Sequence, residues 1–222
     1  LRVYAGTLDL TPEALQIARG TFYGMAAHAD REVGTLLGML RAADALDNTI
    51  VAVTSDQGLQ MGEHGLHKKR NFYEQTVNSP LVLRYPERLP EGKTVGALSE
   101  MTDFLPTLLD LSGMAVPDGI RGMSLLPMVA GSDPGRAAVF AEIDHSGSMY
   151  DELRVHSGRR VMVQTDDYKL EYFKDARNPD KDGALYDLRT DPGETRNCYQ
   201  DPEKAETIAH LEALVDAWDA TT

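Results

Sequence analysis

Asp56 and Gln57 stand side by side after a short apolar run, Ile50-Val51-Ala52-Val53, and are followed at once by Gly58. A carboxylate beside an amide oxygen offers two hard oxygen donors to one cation, a pair suited to calcium or magnesium rather than to a thiolate-seeking metal. Asp-Gln-Gly is equally the composition of a plain turn, and the three residues alone leave both readings open. Farther on, His64, His67 and the consecutive Lys68, Lys69 and Arg70 gather positive charge in a chain with 22 Lys and Arg against 35 Asp and Glu, a formal charge of −13. A basic knot on an acidic body can guide an anion into a cleft. It can also be a solvated loop that keeps the protein in solution.

These residues need a scaffold that turns them toward one another. Ile50 to Val53 is rich in β-branched residues and has no period of its own, which predicts a strand covered on both faces; Pro80 to Pro86 reads as a second buried strand. In open α/β sheets ligands collect at the carboxyl ends of strands, where Asp56 and Gln57 fall. Gly58 permits an abrupt turn, so that two neighbouring side chains need not point to opposite faces.

Taken together, Thr54-Ser55-Asp56-Gln57-Gly58, Gly62-Glu63-His64-Gly65-Leu66, Lys69 ahead of Tyr73-Glu74, and Ser79-Pro80-Leu81-Val82 resemble the second half of the sulfatase family, within the alkaline-phosphatase-like superfamily. Further stretches fit in the same order: Tyr23 to Leu40, Asp103 to Gly113, Gly122 to Pro127, Tyr168-Lys169-Leu170, Leu185 to Leu188 and Asp191 to Asn197. The resemblance implies part of an α/β three-layer sandwich over residues 1–133. It also implies a small C-terminal subdomain over 134–222, an antiparallel sheet closed by a terminal helix. It matches Asp56 and Gln57 to the family's late pair of metal ligands, with calcium the expected cation and magnesium or manganese the alternatives. It matches Lys69 to the lysine that contacts the sulfate ester; an ammonium with three donors suits a tetrahedral anion whose charge grows in the transition state. His64, His67 and His145 are candidate substrate contacts, His145 on a Gly- and Ser-bearing loop that runs from Asp144 to Arg159.

The family's nucleophile, a Cys or Ser in a Cys/Ser-x-Pro-Ser/Ala-Arg motif converted to formylglycine, does not occur in these residues: the single cysteine, Cys198, is followed by Tyr199-Gln200. The chain opens on Leu1 without a signal-peptide pattern, so it is expected to be a portion of a longer protein, inactive alone, with formylglycine supplied from elsewhere. Cytoplasmic, periplasmic and secreted placements all stay open, and so does oligomeric state. The expected partner is a small-molecule or carbohydrate sulfate ester. With a charge of −13 and no extended basic face, nucleic acid is not an expected partner. No apolar run reaches membrane-spanning length.

The remaining elements read in order. Thr11, Pro12 and Glu13 suit the N-cap and first turn of a long helix to Ala43, with a possible interruption at Gly20 or Gly24. Thr94 to Leu98 reads as a strand. Thr102 reads as the cap of a helix to Leu111, with Asp103 as its first-turn acid. A short helix fits Ser124 to Val129. Alternation then predicts strands at Ala137–Ile143, Arg160–Thr165, Tyr168–Phe173 and Ala184–Leu188, and Pro202–Trp218 reads as an amphipathic closing helix. Two other functions compete with sulfate-ester hydrolysis. One is hydrolysis of phosphodiesters or phosphonate monoesters by the same superfamily scaffold; the other is a non-catalytic binding domain built on it.

Overall fold

Helix α1, Pro12–Ala42, is set by its first residues: Thr11 is extended and its hydroxyl accepts from the Ala14 amide at 3.2 Å, and Pro12 occupies the first turn. The computed structural model describes residues 11–144, 158–174 and 183–220. These form two units, one comprising residues up to Asn71 with Gln75–Val95 and Met101–Ser132, the other Phe72–Glu74, Gly96–Glu100 and the chain from Asp133 onward.

In the first unit α1 runs unbroken through Gly20 and Gly24, as one helix over nearly the whole stretch read as helical. Each glycine costs about 1 kcal/mol relative to alanine, too little to break so long a helix. No residue of α1 is buried, and Ile17 is 71% exposed. Strand β1, Val51–Thr54, pairs antiparallel with the strand Leu81–Arg84 in a two-stranded ribbon. The expected two-sided burial is not met: the opposed Val53 and Val82 are 44% and 61% exposed, because no layer of described residues covers that face. Arg84 ties the ribbon back through the Leu46 carbonyl at 2.9 Å and the Asp47 carboxylate at 2.5 Å.

Between the two strands lie β2, Gln60–Met61, β3, His67–Lys68, and a single helical turn, α2, Glu74–Val77; Leu81–Arg84 is then β4. No strand forms at residues 94–98, where exposed Val95 and Gly96 meet no partner strand. Helix α3, Phe104–Leu111, follows a helical turn at Met101–Asp103, so the N-cap is Asp103 rather than Thr102. Asp103 does not cap with its side chain. Its fully buried carboxylate instead accepts from the Met123 amide at 2.8 Å. Thr107 donates to the Asp103 carbonyl and accepts from the Leu125 amide at 2.9 Å, which fixes the chain entering α4, Leu126–Ala130.

The second unit is a four-stranded antiparallel meander: β5, Val139–Asp144; β6, Arg159–Gln164; β7, Tyr168–Phe173; β8, Gly183–Asp187. Helix α5, Ala205–Asp219, follows a turn that Asp201 caps through the Glu203 amide at 3.0 Å. Alternation along the strands sorts the sheet into two faces. Val161, Val163, Leu170 and Leu185 meet Cys198, Leu211 and Val215 in the core, each large aliphatic contributing about 1.5–3 kcal/mol on burial. Cys198 is thus a core residue. Trp218 stacks on Phe140 with ring centroids 5.1 Å apart.

The other face is built of charge. Arg160, Lys169, Glu171 and Tyr186 alternate with the core residues and are buried too. Arg160 and Glu171 form an ion pair at 2.6 Å, and burial pushes the Glu171 carboxyl above its usual range against the pull of that guanidinium. Arg159, expected in the loop, opens β6 and pairs with Glu142 and with Asp219 at the end of α5.

Candidate active site

The first residues beyond β1 are turned by a close approach of backbone. The Gly58 amide donates to the Thr76 carbonyl at 2.8 Å, and a Cβ at position 58 would lie 1.9 Å from the Gln75 carbonyl oxygen. Only glycine fits there. The approach joins the two ends of residues 58–76, the loop that carries His64, His67 and Lys69.

Just before this closure Asp56 and Gln57 come together. The Gln57 amide N–H donates to Asp56 Oδ1 at 2.9 Å and its Nε2 approaches Oδ2 at 3.4 Å, so the two neighbouring side chains share one side of the chain. Asp56 is exposed and Gln57 half-buried. Rotating the Gln57 amide, a change of orientation between two nearly equivalent ends, would bring its oxygen beside the carboxylate as a second hard donor. The pair therefore fits a hard cation as two of its oxygen ligands. Among the described residues no group of three His, Cys, Asp or Glu side chains stands ready to hold a metal by itself.

Inside the loop, β2 and β3 pair through Gln60 opposite Lys68 and Met61 opposite His67. Helix α1 anchors this ribbon: Arg19 donates to the Met61 carbonyl at 2.7 Å and pairs with Glu63 at 3.2 Å, while Glu63 accepts from the Met61 amide at 2.6 Å. His64 sits half-buried at φ 53°, in the left-handed region. His67 is half-buried, and its Nδ1 is enclosed without a hydrogen-bond partner among the described residues.

Lys69 follows β3 directly. It is exposed, and its ammonium makes no hydrogen bond or ion pair with any described residue, Asp56 and Gln57 included. Its backbone is nevertheless held on both sides, by the ribbon before it and by buried Asn71 after it. Asn71 accepts from the Thr76 hydroxyl at 2.9 Å and from Gln60 Nε2 at 3.4 Å. A lysine with a fixed root and an unengaged cationic tip can meet an anion without first breaking a pair. His145 lies outside the described residues. A surface hollow of about 480 Å³ runs beside α1 from Pro12 to Tyr23 and takes in none of Asp56, Gln57 and Lys69.

Sequence reasoning missed a buried ionic cluster. Tyr73-Glu74, Tyr168-Lys169-Leu170 and Asp191–Asn197 each belonged to the resemblance without a role, yet Lys169 pairs with both Glu74 and Glu194. Alternation alone assigns Lys169 to an outward face, and one sequence carries no sign that this face is covered.

Known proteins align with the chain over nearly its whole length. Residues 62–220 match the family described as N-sulphoglucosamine sulphohydrolase, C-terminal, and residues 5–114 match the sulfatase family. The N-acetylglucosamine-6-O-sulfatase of Bacteroides thetaiotaomicron is 36% identical over 192 residues, covering 84% of this chain and 33% of that protein. Arylsulfatase K of Xenopus laevis is 27% identical, covering 95% of this chain and 39% of its own length. Among solved structures, one in complex with its substrate D-glucosamine-2-N,6-O-disulfate superposes with a TM-score of 0.78 at 32% identity, over 96% of this chain and 43% of that one. The phosphonate monoester hydrolase of Silicibacter pomeroyi superposes with a TM-score of 0.84 at 28% identity, over 94% of this chain and 42% of that one. The chain spans about a third to two-fifths of the length of these curated relatives. The α/β fold with its small antiparallel sheet and terminal helix is the one these structures share, and the chain belongs to the sulfatase family.

Proposed function

We propose that the full-length protein is a metal-dependent sulfatase acting on sulfate esters of carbohydrates, and that these residues supply its late metal ligands and its anion-binding lysine. The observation that carries the reading is the backbone-anchored Lys69, unengaged among the described residues, in a loop whose closure at Gly58 adjoins the Asp56–Gln57 pair. In support, a structural neighbour holds a sulfated glucosamine as its substrate.

In this reading Asp56 and the Gln57 amide oxygen hold a divalent cation, calcium first by the oxygen-only donor set. When bound, the cation supplies positive charge to the oxygens of the ester. Lys69 donates to a non-bridging sulfate oxygen and meets the charge that builds on it and on the departing oxygen. His67, with Nδ1 enclosed and unpartnered among the described residues, stands as a polar group for the substrate, and His64 as a second. The formylglycine nucleophile of the family comes from sequence outside these 222 residues.

A phosphonate or phosphodiester substrate would use the same tetrahedral contacts, and the TM-score of 0.84 to a phosphonate monoester hydrolase favours keeping that reading in view. The separating experiment is a panel of aryl sulfate, glucosamine 6-O-sulfate, phosphonate monoester and phosphodiester offered to the full-length protein. The proposal expects kcat/KM to be highest for a sulfate ester. It also expects calcium affinity by calorimetry to fall at least tenfold in Asp56→Ala. Preference for phosphonates would give the function to the second reading, and unchanged calcium affinity would remove Asp56 from the metal.

A further inference from the structure

Three residues just after Lys69 are gripped by the charged face of the four-stranded sheet. Lys169 on β7, 1% exposed, lies between two carboxylates, 2.5 Å from Glu194 Oε1 and 3.1 Å from Glu74 Oε2. The second oxygen of Glu194, a fully buried side chain, accepts from the backbone amide of Glu74 at 2.7 Å. Glu194 is aimed by its own turn: it sits at φ 54° beside Asp191, whose carboxylate accepts from the amides of Thr195 and Arg196, both at 2.8 Å. Preceding residues are held as well. Tyr73 and Tyr186 share a hydroxyl–hydroxyl bond at 3.2 Å, and the Arg160 guanidinium lies 5.3 Å from the Phe72 ring centre.

An ion pair this deeply buried is a poor device for stability alone, since apolar side chains of like size often serve as well or better. What an apolar pair could not do is accept a hydrogen bond from the Glu74 amide. That amide belongs to a short run anchored at Asn71, Phe72, Tyr73 and Glu74. Lys69 leads into Asn71, held by Gln60 and Thr76, then into Phe72–Glu74, then into Gln75, whose carbonyl limits the space at Gly58.

We propose that Lys169 and Glu194 are positioning residues for Lys69, holding the Glu74 amide so that the backbone leading back to the lysine keeps one course. The inference rests on the assignment of Lys69 to the sulfate ester. Neither Lys169 nor Glu194 touches substrate in it; both act through residues 70–74.

The test uses the full-length protein with nitrophenyl sulfate as probe and the double variant Lys169→Met, Glu194→Leu, which removes the charges together and leaves no buried charge of that pair unpaired. The expected result is a fall in kcat of at least tenfold with KM changed less than threefold, a melting temperature lowered only by the few degrees that one amide without its acceptor costs, and faster amide exchange confined to residues 69–76. In a Lys69→Ala background the same double variant should lower kcat less than twofold further, because a device that works through Lys69 has nothing left to position. Glu194→Gln, which keeps an acceptor for the Glu74 amide, should recover most of the rate. Parent-like kcat in the double variant, or a loss that multiplies fully with that of Lys69→Ala, would overturn the inference. Should the double variant fail to fold, Glu74→Ala decides by the same non-additivity, because its side chain is partly exposed and its backbone amide remains. Near-normal turnover of Lys69→Ala itself would count against the lysine's assignment, an outcome distinct from either failure of the clamp. If nitrophenyl sulfate is not turned over, exchange at residues 69–76 decides: parent-like protection there in the double variant overturns the inference.

Discussion

Gly58 and Gln75 approach so closely that a side-chain carbon on the first would fall 1.9 Å from the carbonyl oxygen of the second. Because the obstacle is backbone, no rotamer relieves it. Gly58→Ala should therefore force the loop ends apart, costing about 1–3 kcal/mol by the usual scale of overpacking. Denaturant titration of the parent and variant checks this, with calcium affinity expected to fall in parallel because Asp56 and Gln57 lie immediately before the closure. Stability and affinity both equal to the parent's would mean that the loop ends are free to separate.

Thr107 carries a prediction about the scaffold rather than the site. Its hydroxyl accepts from the buried Leu125 amide at 2.9 Å, and Thr107→Val leaves that amide without its acceptor at nearly constant volume. The expected loss is about 1–3 kcal/mol in denaturant midpoint analysis, with kcat unchanged on a substrate the parent turns over. A neutral effect would show that the chain at residues 122–125 finds another acceptor.

Asp219 gives the second unit a pH dependence. Hydrogen bonds from Arg159 chiefly, and from Lys174, hold its carboxyl down to about 2 against an ordinary 3.8. A carboxyl depressed in the folded state adds stability above its unfolded pKa, and that share is lost as pH falls from about 4 through about 2. Asp219→Asn should cost about 1 kcal/mol at pH 7, the scale of a solvent-screened ion pair, and converge with the parent near pH 2, measured by denaturation at stepped pH. A difference that stays constant with pH would contradict the pairing.

Much of the fold was legible because its signals are local. The Thr11-Pro12-Glu13 start reads directly as a helix N-terminus, and the alternation of Val161, Val163 and Leu170 with their charged neighbours places four strands close to where they form. Errors arose where tertiary placement overrides pattern. The run at Ile50–Val53 reads as covered on both faces by composition, yet no described residues cover Val53 and Val82. Asp103 looks like a first-turn acid, yet its carboxylate turns inward to the Met123 amide. At the site, the Asp56–Gln57 adjacency and the turn at Gly58 follow from residue type. The encirclement of Glu74 by Lys169 and Glu194 joins residues far apart in the chain and leaves no local trace.

The central claim is that Lys69 meets the substrate's anionic group from an anchored backbone. Steady-state kinetics of Lys69→Ala in the full-length protein, on the best substrate of the ester panel, tests it most directly. The account predicts a fall in kcat of more than tenfold with the melting temperature unchanged, as befits an exposed side chain without partners among the described residues. Turnover within twofold of the parent would contradict it.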